Sequence, residues 1–308
     1  MTPTSVIESE LSQTEKFNKY YFRFGIKELK EKIHPALLSL LVDFDKICTE
    51  NNIKYMIVAG TLLGAVREKG FIPWDEDIDI LVPPNSYTRL QDAIKKSGFE
   101  NKYKFIIPYE SDEVTSDGKF MSKTISLSSL FNDDTIGYPL YFDVLEFQNV
   151  PDNKLLRKFK SVLTKILILS YNSMRCLKKN DELLDIMKRD SKELSRNLLI
   201  RRIASIPAQI IGQHNTYKLI RKIGSYSNDK TKFVTIPFGG VMYDKETVPR
   251  NVFEETVRIL FEGHMISAPQ DYDYYLSNRY GIDYMTPPPK SEQGVKCFVR
   301  RKYWKDLK

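Results

Sequence analysis

One short stretch, IPWDEDIDIL at residues 72–81, constrains the fold and the chemistry of this chain most strongly. It places four acidic side chains within five positions and then alternates acidic with aliphatic residues. Alternation with a period of two is typical of a strand that has one polar and one apolar face. We therefore predict a strand over 76–82 that carries Asp77 and Asp79 on one face, with Asp75 just before it.

Carboxylates this close together repel one another and raise one another's pKa unless a cation binds between them. An Asp-x-Asp pair offers the oxygen ligands that hard divalent cations prefer, so Asp77 and Asp79 are candidate ligands for Mg²⁺ or Mn²⁺, supported by Asp75. Asp143 lies in the apolar stretch YPLYFDVLEF at 138–147, where an unpaired charge would be costly. A neighbouring strand that carries the other acids and a metal would remove this cost. We therefore expect Asp77, Asp79 and Asp143 to form one catalytic, metal-binding group.

The segment AGTLLGAVR, at 59–67, could bind phosphate. Gly60 and Thr61 lie where a buried strand passes into a helix, a junction that offers backbone N–H groups and a hydroxyl to an anion. Arg67 could add a planar, permanently charged guanidinium to that site. A structural salt bridge to a nearby acid is the alternative for Arg67.

Other secondary-structure elements follow from hydrophobic periodicity and from Gly and Pro positions. The predicted helices are 35–50, 61–70 and 86–98, the last with Ser86 as its N-cap. The predicted strands besides 76–82 are 55–60, 104–107, 119–127 and 138–147.

The order of these motifs resembles that of nucleotidyltransferase-fold enzymes. GTLLGAVREKGFIPWDEDIDI is similar to the signature of the LicD family, the phosphocholine and polyol-phosphate transferases of bacterial surface glycans, to which fukutin-related proteins are distantly related. YFDVLEF resembles the later Asp strand of that family, and FEGHMISAPQDYDYYLSNRYGIDYMTPPP resembles its C-terminal signature. The resemblance covers roughly 35–150 and 233–289. It implies an α+β fold with a nucleotidyltransferase-like mixed sheet, flanking helices and a basic helical insertion.

The resemblance also implies a reaction and its participants. The donor would be a CDP-activated alcohol such as CDP-choline, the acceptor a sugar hydroxyl of a glycan precursor that could be linked to lipid, and the leaving group CMP. Asp77 and Asp79 would hold Mg²⁺ on the diphosphate, while Asp143 would complete the metal shell or accept the proton of the acceptor. Gly60 and Thr61 would cradle phosphate, and Arg67 would neutralise charge on the leaving group.

Three further residues lie in or beside these motifs and are candidate substrate contacts. Trp74 could stack on a base or a sugar, with packing against the core as the alternative. Glu262 could orient a group of the active site. His264 could touch substrate, with a packing or surface role as the alternative.

The predicted organisation has four parts: an N-terminal extension at 1–34, a catalytic core at 35–150, a basic helical region at 151–230 and a C-terminal part at 231–308 that completes the catalytic domain. The basic helical region contains 18 Lys and Arg against 7 Asp and Glu, whereas the whole chain has a net charge of +7. Such asymmetry indicates either a solvated helical layer or peripheral contact with an anionic membrane. No nucleic-acid-binding module is present, so we expect no nucleic-acid partner.

The three scattered cysteines and the polar N-terminus predict a cytoplasmic protein, one that could work at the inner face of the cell membrane. Two other functions stay open. A conventional nucleotidyltransferase would move NMP from an NTP to a hydroxyl with the same carboxylates. A non-catalytic peripheral membrane or polyanion-binding protein would use only the basic region.

Overall fold

The computed structural model describes residues 21–108, 117–178, 192–225, 231–236, 246–295 and 298–300. Parts of all four predicted regions lie outside the described residues: 1–20 of the N-terminal extension, 109–116 of the catalytic core, 179–191 and 226–230 of the basic helical region, and 237–245, 296–297 and 301–308 of the C-terminal part.

A five-stranded mixed sheet forms the centre of the molecule, and its strands run in the order β2-β3-β6-β5-β4. Its members are β2 (Met56–Ile57), β3 (Asp79–Val82), β4 (Tyr103–Ile106), β5 (Gly118–Ser126) and β6 (Pro139–Glu146). β3 and β6 are parallel, while the other three pairs are antiparallel. The mixed sheet with its surrounding helices confirms the predicted α+β class.

Seven short strands form three smaller sheets. They are β1 (Tyr21–Arg23) with β12 (Phe298–Arg300), β7 (Gln148–Val150) with β8 (Phe233–Thr235) and β9 (Val248–Pro249), and β10 (Thr256–Phe261) with β11 (His264–Pro269). The hairpin of β10 and β11 packs against β2 through β11, so the predicted C-terminal part lies directly on the central sheet.

The helices surround the sheets. They are α1 (Ile26–Glu28), α2 (His34–Glu50), α3 (Ala59–Arg67), α4 (Ser86–Lys96), α5 (Leu127–Phe131), α6 (Lys154–Lys178), α7 (Lys192–Ile211), α8 (Gln213–Gly224) and α9 (Tyr272–Tyr280). A π-helical turn at Leu29–Ile33 joins α1 to α2, and short 3₁₀ turns occur at Asp134–Ile136, Arg250–Phe253 and Lys290–Glu292.

Helix α2 covers the central sheet because its apolar residues recur at helical spacing. Phe44 lies at the middle of this contact, with ring centroids 5.1 Å from Phe120 of β5 and 5.4 Å from Phe142 of β6. All three rings are buried, and full burial of one such side chain stabilises the fold by about 1.5–3 kcal/mol. Phe24 and Leu29, within the predicted N-terminal extension, are buried in the same core.

The strand predicted over 76–82 begins only at Asp79, which corrects the expectation that Asp77 lies within it. Its antiparallel partner β2 has two residues, and they pair with Ile80 and Leu81. A turn in which the Asp75 amide donates to the Ile72 carbonyl, at 3.0 Å, precedes the strand. Asp75 and Asp77 therefore lie in a loop that leads into β3.

Two helix starts also differ from the prediction. Helix α3 begins at Ala59 rather than at 61, and Ala59 has a left-handed backbone with φ +49°. Asn85, not Ser86, is the N-cap of α4. The Ser86 amide instead donates to the Glu146 carboxylate at 3.2 Å, so an acid from β6 caps this helix. The negative charge of this acid interacts favourably with the positive N-terminal end of the helix.

Helices α6, α7 and α8 form a layer with a core of its own, and we call them the helical layer. The core consists of Leu167, Tyr171, Met174, Ala208, Tyr217 and Ile220. Arg221 of α8 joins this layer to the central sheet through an ion pair of 2.8 Å with Glu146 at the end of β6. Within the described part of the chain, no helix has the length and apolar character needed to cross a membrane.

Candidate active site

Asp79 and Asp143 are brought together by the parallel pairing of β3 and β6, in which they are register partners. Neighbouring strands lie about 4.8 Å apart, and residues in register project from the same face of a sheet. The Asp143 amide donates to the Ile78 carbonyl at 3.2 Å, so the pairing extends one residue beyond β3. The sheet thus places two acids side by side, as the sequence predicts for Asp143.

Asp75 and Asp77 extend this pair from the loop before β3, and a hydrogen bond joins their carboxyl groups. Burial raises the pKa of Asp75 to about 8, with contributions from the charges of Asp77 and Glu76. Asp77 as a whole is exposed to solvent. Partial desolvation of its carboxyl group and the charge of Asp143 nevertheless raise the pKa of Asp77.

Asp79 completes the acidic cluster, which we define as Asp75, Asp77, Asp79 and Asp143. Burial raises the pKa of Asp79 well above its ordinary value, and the charges of the other three acids add to the effect. Neighbouring carboxylates that disfavour the ionisation of Asp75, Asp77 and Asp79 create a strong preference for a cation. An all-carboxylate donor set suits Mg²⁺ or Mn²⁺ rather than softer metals.

Lys119 of β5 neutralises part of this charge and was not predicted from the sequence. It is the register partner of Asp143, and its ammonium group contacts the Asp143 carboxylate and lies 4.0 Å from the centroid of the Tyr141 ring. Burial alone would lower the pKa of Lys119, but the charges of Asp143 and Tyr141 and the hydrogen bond to Asp143 together outweigh burial and raise it. The sequence did contain one indication of Lys119: it is a charged residue in the strand predicted over 119–127, and a charge within a predicted strand is also what identified Asp143.

The described side chains do not enclose a metal ion as they stand, because no three His, Cys, Asp or Glu side chains among them converge closely enough. Asp143 instead contacts Lys119. The carboxyl-only donor set and the raised pKa values of Asp75, Asp77 and Asp79 nevertheless fit a divalent cation. Binding one would require these carboxylates to rotate toward a common point.

Thr61 and Gly60 lie at the start of α3, directly beside the acidic cluster. The Thr61 hydroxyl is buried and accepts a hydrogen bond of 2.9 Å from the Asp79 amide, so it holds the start of β3. A Cβ on Gly60 would lie 2.4 Å from Oδ2 of Asp75, so only glycine admits this carboxylate against the helix. The positive end of α3 favours an anion at this point. Phosphate binding by Gly60 and Thr61 stays a prediction.

Arg67, at the other end of α3, is held by protein groups. Its side chain is 7% exposed, its Nε lies 2.8 Å from Oε1 of Glu68, and its Nη1 donates to the Tyr284 carbonyl at 3.5 Å. This is the salt bridge that the sequence left as the alternative. The role of Arg67 at the leaving group stays a prediction.

Trp74 and His34 support the loop that carries Asp75. Trp74 is partly buried and packs against the main core, which is the packing role weighed for it. His34 was not predicted as a site residue. Its Nε2 hydrogen-bonds the Asp75 carbonyl at 2.7 Å, and its ring stacks on Phe71 with centroids 4.2 Å apart. His34 therefore fixes the backbone from which the Asp75 carboxylate projects.

Glu262 binds the turn that precedes the same loop. It lies at the tip of the β10–β11 hairpin, where its amide donates to the Lys69 carbonyl at 2.8 Å and its carboxylate accepts from the Phe71 amide at 3.0 Å. It thereby orients the chain that leads to Trp74 and Asp75 and is a positioning residue. His264, at the start of β11, is exposed, and its predicted contact with substrate stays a prediction.

Helix α9 brings a second unpredicted cation to the acidic cluster. Arg279 forms a buried ion pair with Glu246, and its charge lowers the pKa of Asp79. The Tyr275 hydroxyl lies 3.4 Å from Glu246 and fixes this pair from the same helix. Arg279 falls within the C-terminal stretch that resembles the LicD signature, and that stretch was the signal that could have identified it.

Comparison with known proteins finds similarity to one family. The sequence profile of the LicD/FKTN/FKRP nucleotidyltransferase domain matches residues 52–135, which include three of the four acids in the cluster. Lipopolysaccharide cholinephosphotransferase LicD of Haemophilus influenzae is 25% identical over 268 residues, which span 83% of this chain and 91% of that protein.

Two uncharacterized proteins share a shorter segment. One from Rickettsia typhi is 40% identical over 78 residues, and one from Rickettsia prowazekii is 46% identical over 59 residues, which are 25% and 22% of those proteins. The signature motif and these similarities agree: residues 52–135 match the LicD/FKTN/FKRP nucleotidyltransferase domain, and most of the chain is similar to a lipopolysaccharide cholinephosphotransferase.

Proposed function

We propose that this protein is a metal-dependent transferase that moves phosphocholine, or a related alcohol phosphate, from a CDP-activated donor to a sugar hydroxyl of a cell-surface glycan precursor. The observation that carries the proposal is the acidic cluster, in which β3 and β6 hold Asp79 and Asp143 in register. The similarity to a lipopolysaccharide cholinephosphotransferase across 83% of the chain supports the choice of phosphocholine.

The metal would be Mg²⁺ or Mn²⁺, held by Asp77, Asp79 and Asp143 with Asp75 in support. When bound, such an ion neutralises the diphosphate of the donor and polarises its phosphorus–oxygen bonds. Burial and the charges of neighbouring acids raise the pKa values of Asp75, Asp77 and Asp79, and a bound cation would offset both effects.

The transfer is a displacement at the phosphorus that carries the alcohol. The acceptor oxygen forms a bond to that phosphorus, the bond to the bridging oxygen breaks, and CMP leaves with the bridging oxygen and its electron pair. The acceptor proton passes to a carboxylate. Asp143 is suited to receive it, because its side chain is 36% exposed and therefore accessible to an entering hydroxyl.

Fixed cations stabilise the charge that accumulates in this displacement. Lys119 of β5 contacts Asp143, and Arg279 of α9 acts on Asp79 through its charge; both side chains are largely buried, at 17% and 9% exposed. Cations held in place before the reaction stabilise developing charge without reorganisation during it. Arg67 would serve the leaving group in the same way.

One specific observation favours a second candidate function. The matched domain is described as a nucleotidyltransferase domain, so the same carboxylates could move NMP from an NTP to a hydroxyl. The two functions differ in which phosphorus is attacked, and hence in whether CMP or pyrophosphate is released. A solely non-catalytic role would not require the acidic cluster at all.

The test is a product assay with the purified full chain, Mg²⁺, and CDP-choline, CDP-ribitol or CDP-glycerol in turn. We expect CMP release from one donor, with loss of release on addition of EDTA. Asp79→Asn should abolish the activity, whereas the matched control Asp92→Asn, an exposed acid on α4, should retain it. Pyrophosphate release from an NTP without CMP release from any donor would favour nucleotidyl transfer. Full activity of Asp79→Asn would refute the assignment of the site.

A further inference from the structure

Two helices of the helical layer turn large apolar side chains toward solvent. On α6 these recur every third or fourth residue from Leu155 to Leu169, and on α7 they recur in the same way from Leu199 to Ile210. Leu155 is 80% exposed, Phe159 is 65% exposed and Ile210 is 80% exposed. We call these two stripes the apolar face.

The apolar face is not needed to hold the helical layer together. The opposite sides of the same helices form the internal core, where Tyr171 and Ala208 are fully buried. The Ala208 amide also donates to the Ser170 hydroxyl at 2.9 Å across the α6–α7 contact. A helix that is apolar on both sides requires a second apolar environment besides its own protein core.

Positive charge accompanies the apolar face. Helices α6, α7 and α8 together contain 14 Lys and Arg and one acidic residue. Lys158 and Lys165 of α6 immediately precede Phe159 and Ile166, and both are exposed. Arg201 and Arg202 of α7 are exposed and precede Ile203. These four exposed cations therefore accompany the apolar residues on both helices.

We propose that the apolar face and its cations form a docking surface for an anionic lipid bilayer. Apolar side chains that enter the interface, with Lys and Arg at the level of the headgroups, are the pattern of helices that lie in a membrane surface. A second copy of this chain would bring the exposed cations beside the apolar face against identical cations, and this repulsion opposes association through this surface.

The helical layer that carries the docking surface joins the central sheet near the acidic cluster. Arg221 of α8 binds Glu146, and Glu146 follows Asp143 by three residues on β6, a distance of about 10 Å along a strand. Docking would therefore hold the cluster near the membrane, where a glycan acceptor on a lipid carrier would lie. The inference goes beyond the proposed chemistry and does not depend on it, since the docking surface contains no residue of the acidic cluster.

The experiment is sedimentation of the purified full chain with phosphatidylcholine vesicles, prepared with or without phosphatidylglycerol. We expect binding that requires phosphatidylglycerol and weakens with added salt. The double variant Phe159→Asn and Ile203→Asn should bind about tenfold more weakly or worse, because each change removes apolar area that would enter the bilayer. The control Ile282→Asn, at a residue that is 87% exposed outside the helical layer, should bind as the native protein does.

Circular dichroism melts establish that each variant remains folded, as expected for changes at exposed positions. Equal vesicle binding by the native protein and the double variant would overturn the proposal, as would equal binding to neutral and anionic vesicles. Light scattering provides the remaining outcome: a native dimer that the double variant dissociates, without vesicle binding by either protein, would assign the apolar face to a second copy instead.

Discussion

Replacement of Gly60 by alanine should lower the activity of this protein without lowering its stability. A Cβ at Gly60 would lie 2.4 Å from Oδ2 of Asp75, whereas an ordinary van der Waals contact is about 3.5 Å. The Asp75 side chain must therefore retreat by about 1 Å. Because this atom is the end of a movable side chain, and alanine is favoured over glycine within a helix by up to about 1 kcal/mol, the fold should not be destabilised.

The activity of Gly60→Ala should fall sharply. A displacement of about 1 Å in a catalytic arrangement can cost roughly 100-fold in rate. The assay is CMP release from the preferred CDP-alcohol, measured as kcat/KM, together with the melting temperature of each protein. We expect a loss of about 100-fold with a melting temperature equal to or above that of the native protein.

Two matched glycine variants define the controls. A Cβ at Gly64 on the same helix would lie 2.4 Å from the Gly70 carbonyl oxygen, which is backbone and cannot rotate away. Gly64→Ala should therefore lose about 1–3 kcal/mol of stability through overpacking. Gly294 has no neighbour within 4 Å of its virtual Cβ, so Gly294→Ala should change neither property. Native kcat/KM in Gly60→Ala, or a melting temperature lowered as far as in Gly64→Ala, would refute the reasoning.

Three further predictions concern the metal, the helical layer and the hairpin. Mg²⁺ at 100 times its dissociation constant should raise the unfolding free energy by about 2.7 kcal/mol, and denaturant titration should show no such gain in Asp79→Asn. Arg221→Met should cost about 1–3 kcal/mol near pH 7, since it leaves Glu146 buried without its cation. Burial raises the pKa of Glu146 although Arg221 opposes the rise, so the folded state binds this proton more tightly and the acid's contribution to stability falls as pH rises. Without Arg221 the pKa of Glu146 rises further. The stability that Arg221→Met loses relative to the native protein should therefore grow from about pH 4 to pH 7 and vanish below about pH 4, as measured by melts across pH. Glu262→Gln can still accept from the Phe71 amide and should retain more CMP release than Glu262→Ala; equal losses in both would contradict the positioning role.

The elements that the sequence predicted well are those whose pattern is local. Helix 35–50 is observed as His34–Glu50, and strand 138–147 as Pro139–Glu146. In both elements, one face contacts the core along its whole length, so the spacing of apolar residues predicts the type and the limits of the element. The LicD resemblance and the α+β class were confirmed for the same reason, since they rest on motifs that are continuous in sequence.

The start of β3 could not be predicted from its own residues. The alternation from 76 to 82 is real, but strand length depends on the partner, and β2 provides only two residues. Asp75 and Asp77 are therefore in a loop that His34 and Glu262 hold from distant parts of the chain. Their position depends on pairings that no local pattern encodes.

The two cations of the site were missed for a related reason. Lys119 reaches Asp143 through the β5–β6 pairing, and Arg279 influences Asp79 from α9, about 200 residues later in the chain. Likewise, the aliphatic stripe of the basic helical region was visible in the sequence. Which of its residues are buried became clear only from the contact between α6 and α7.

The central claim is that the phosphorus carrying the alcohol is the one attacked, and ¹⁸O-labelled water tests it most directly. Slow hydrolysis of CDP-choline gives CMP and phosphocholine whichever phosphorus is attacked, so the label alone distinguishes the two routes and no glycan acceptor is needed. Mass spectrometry of the products from the native protein, with Asp79→Asn as the background, provides the measurement. We predict ¹⁸O in phosphocholine and none in CMP; ¹⁸O in CMP would contradict the account and indicate nucleotidyl transfer.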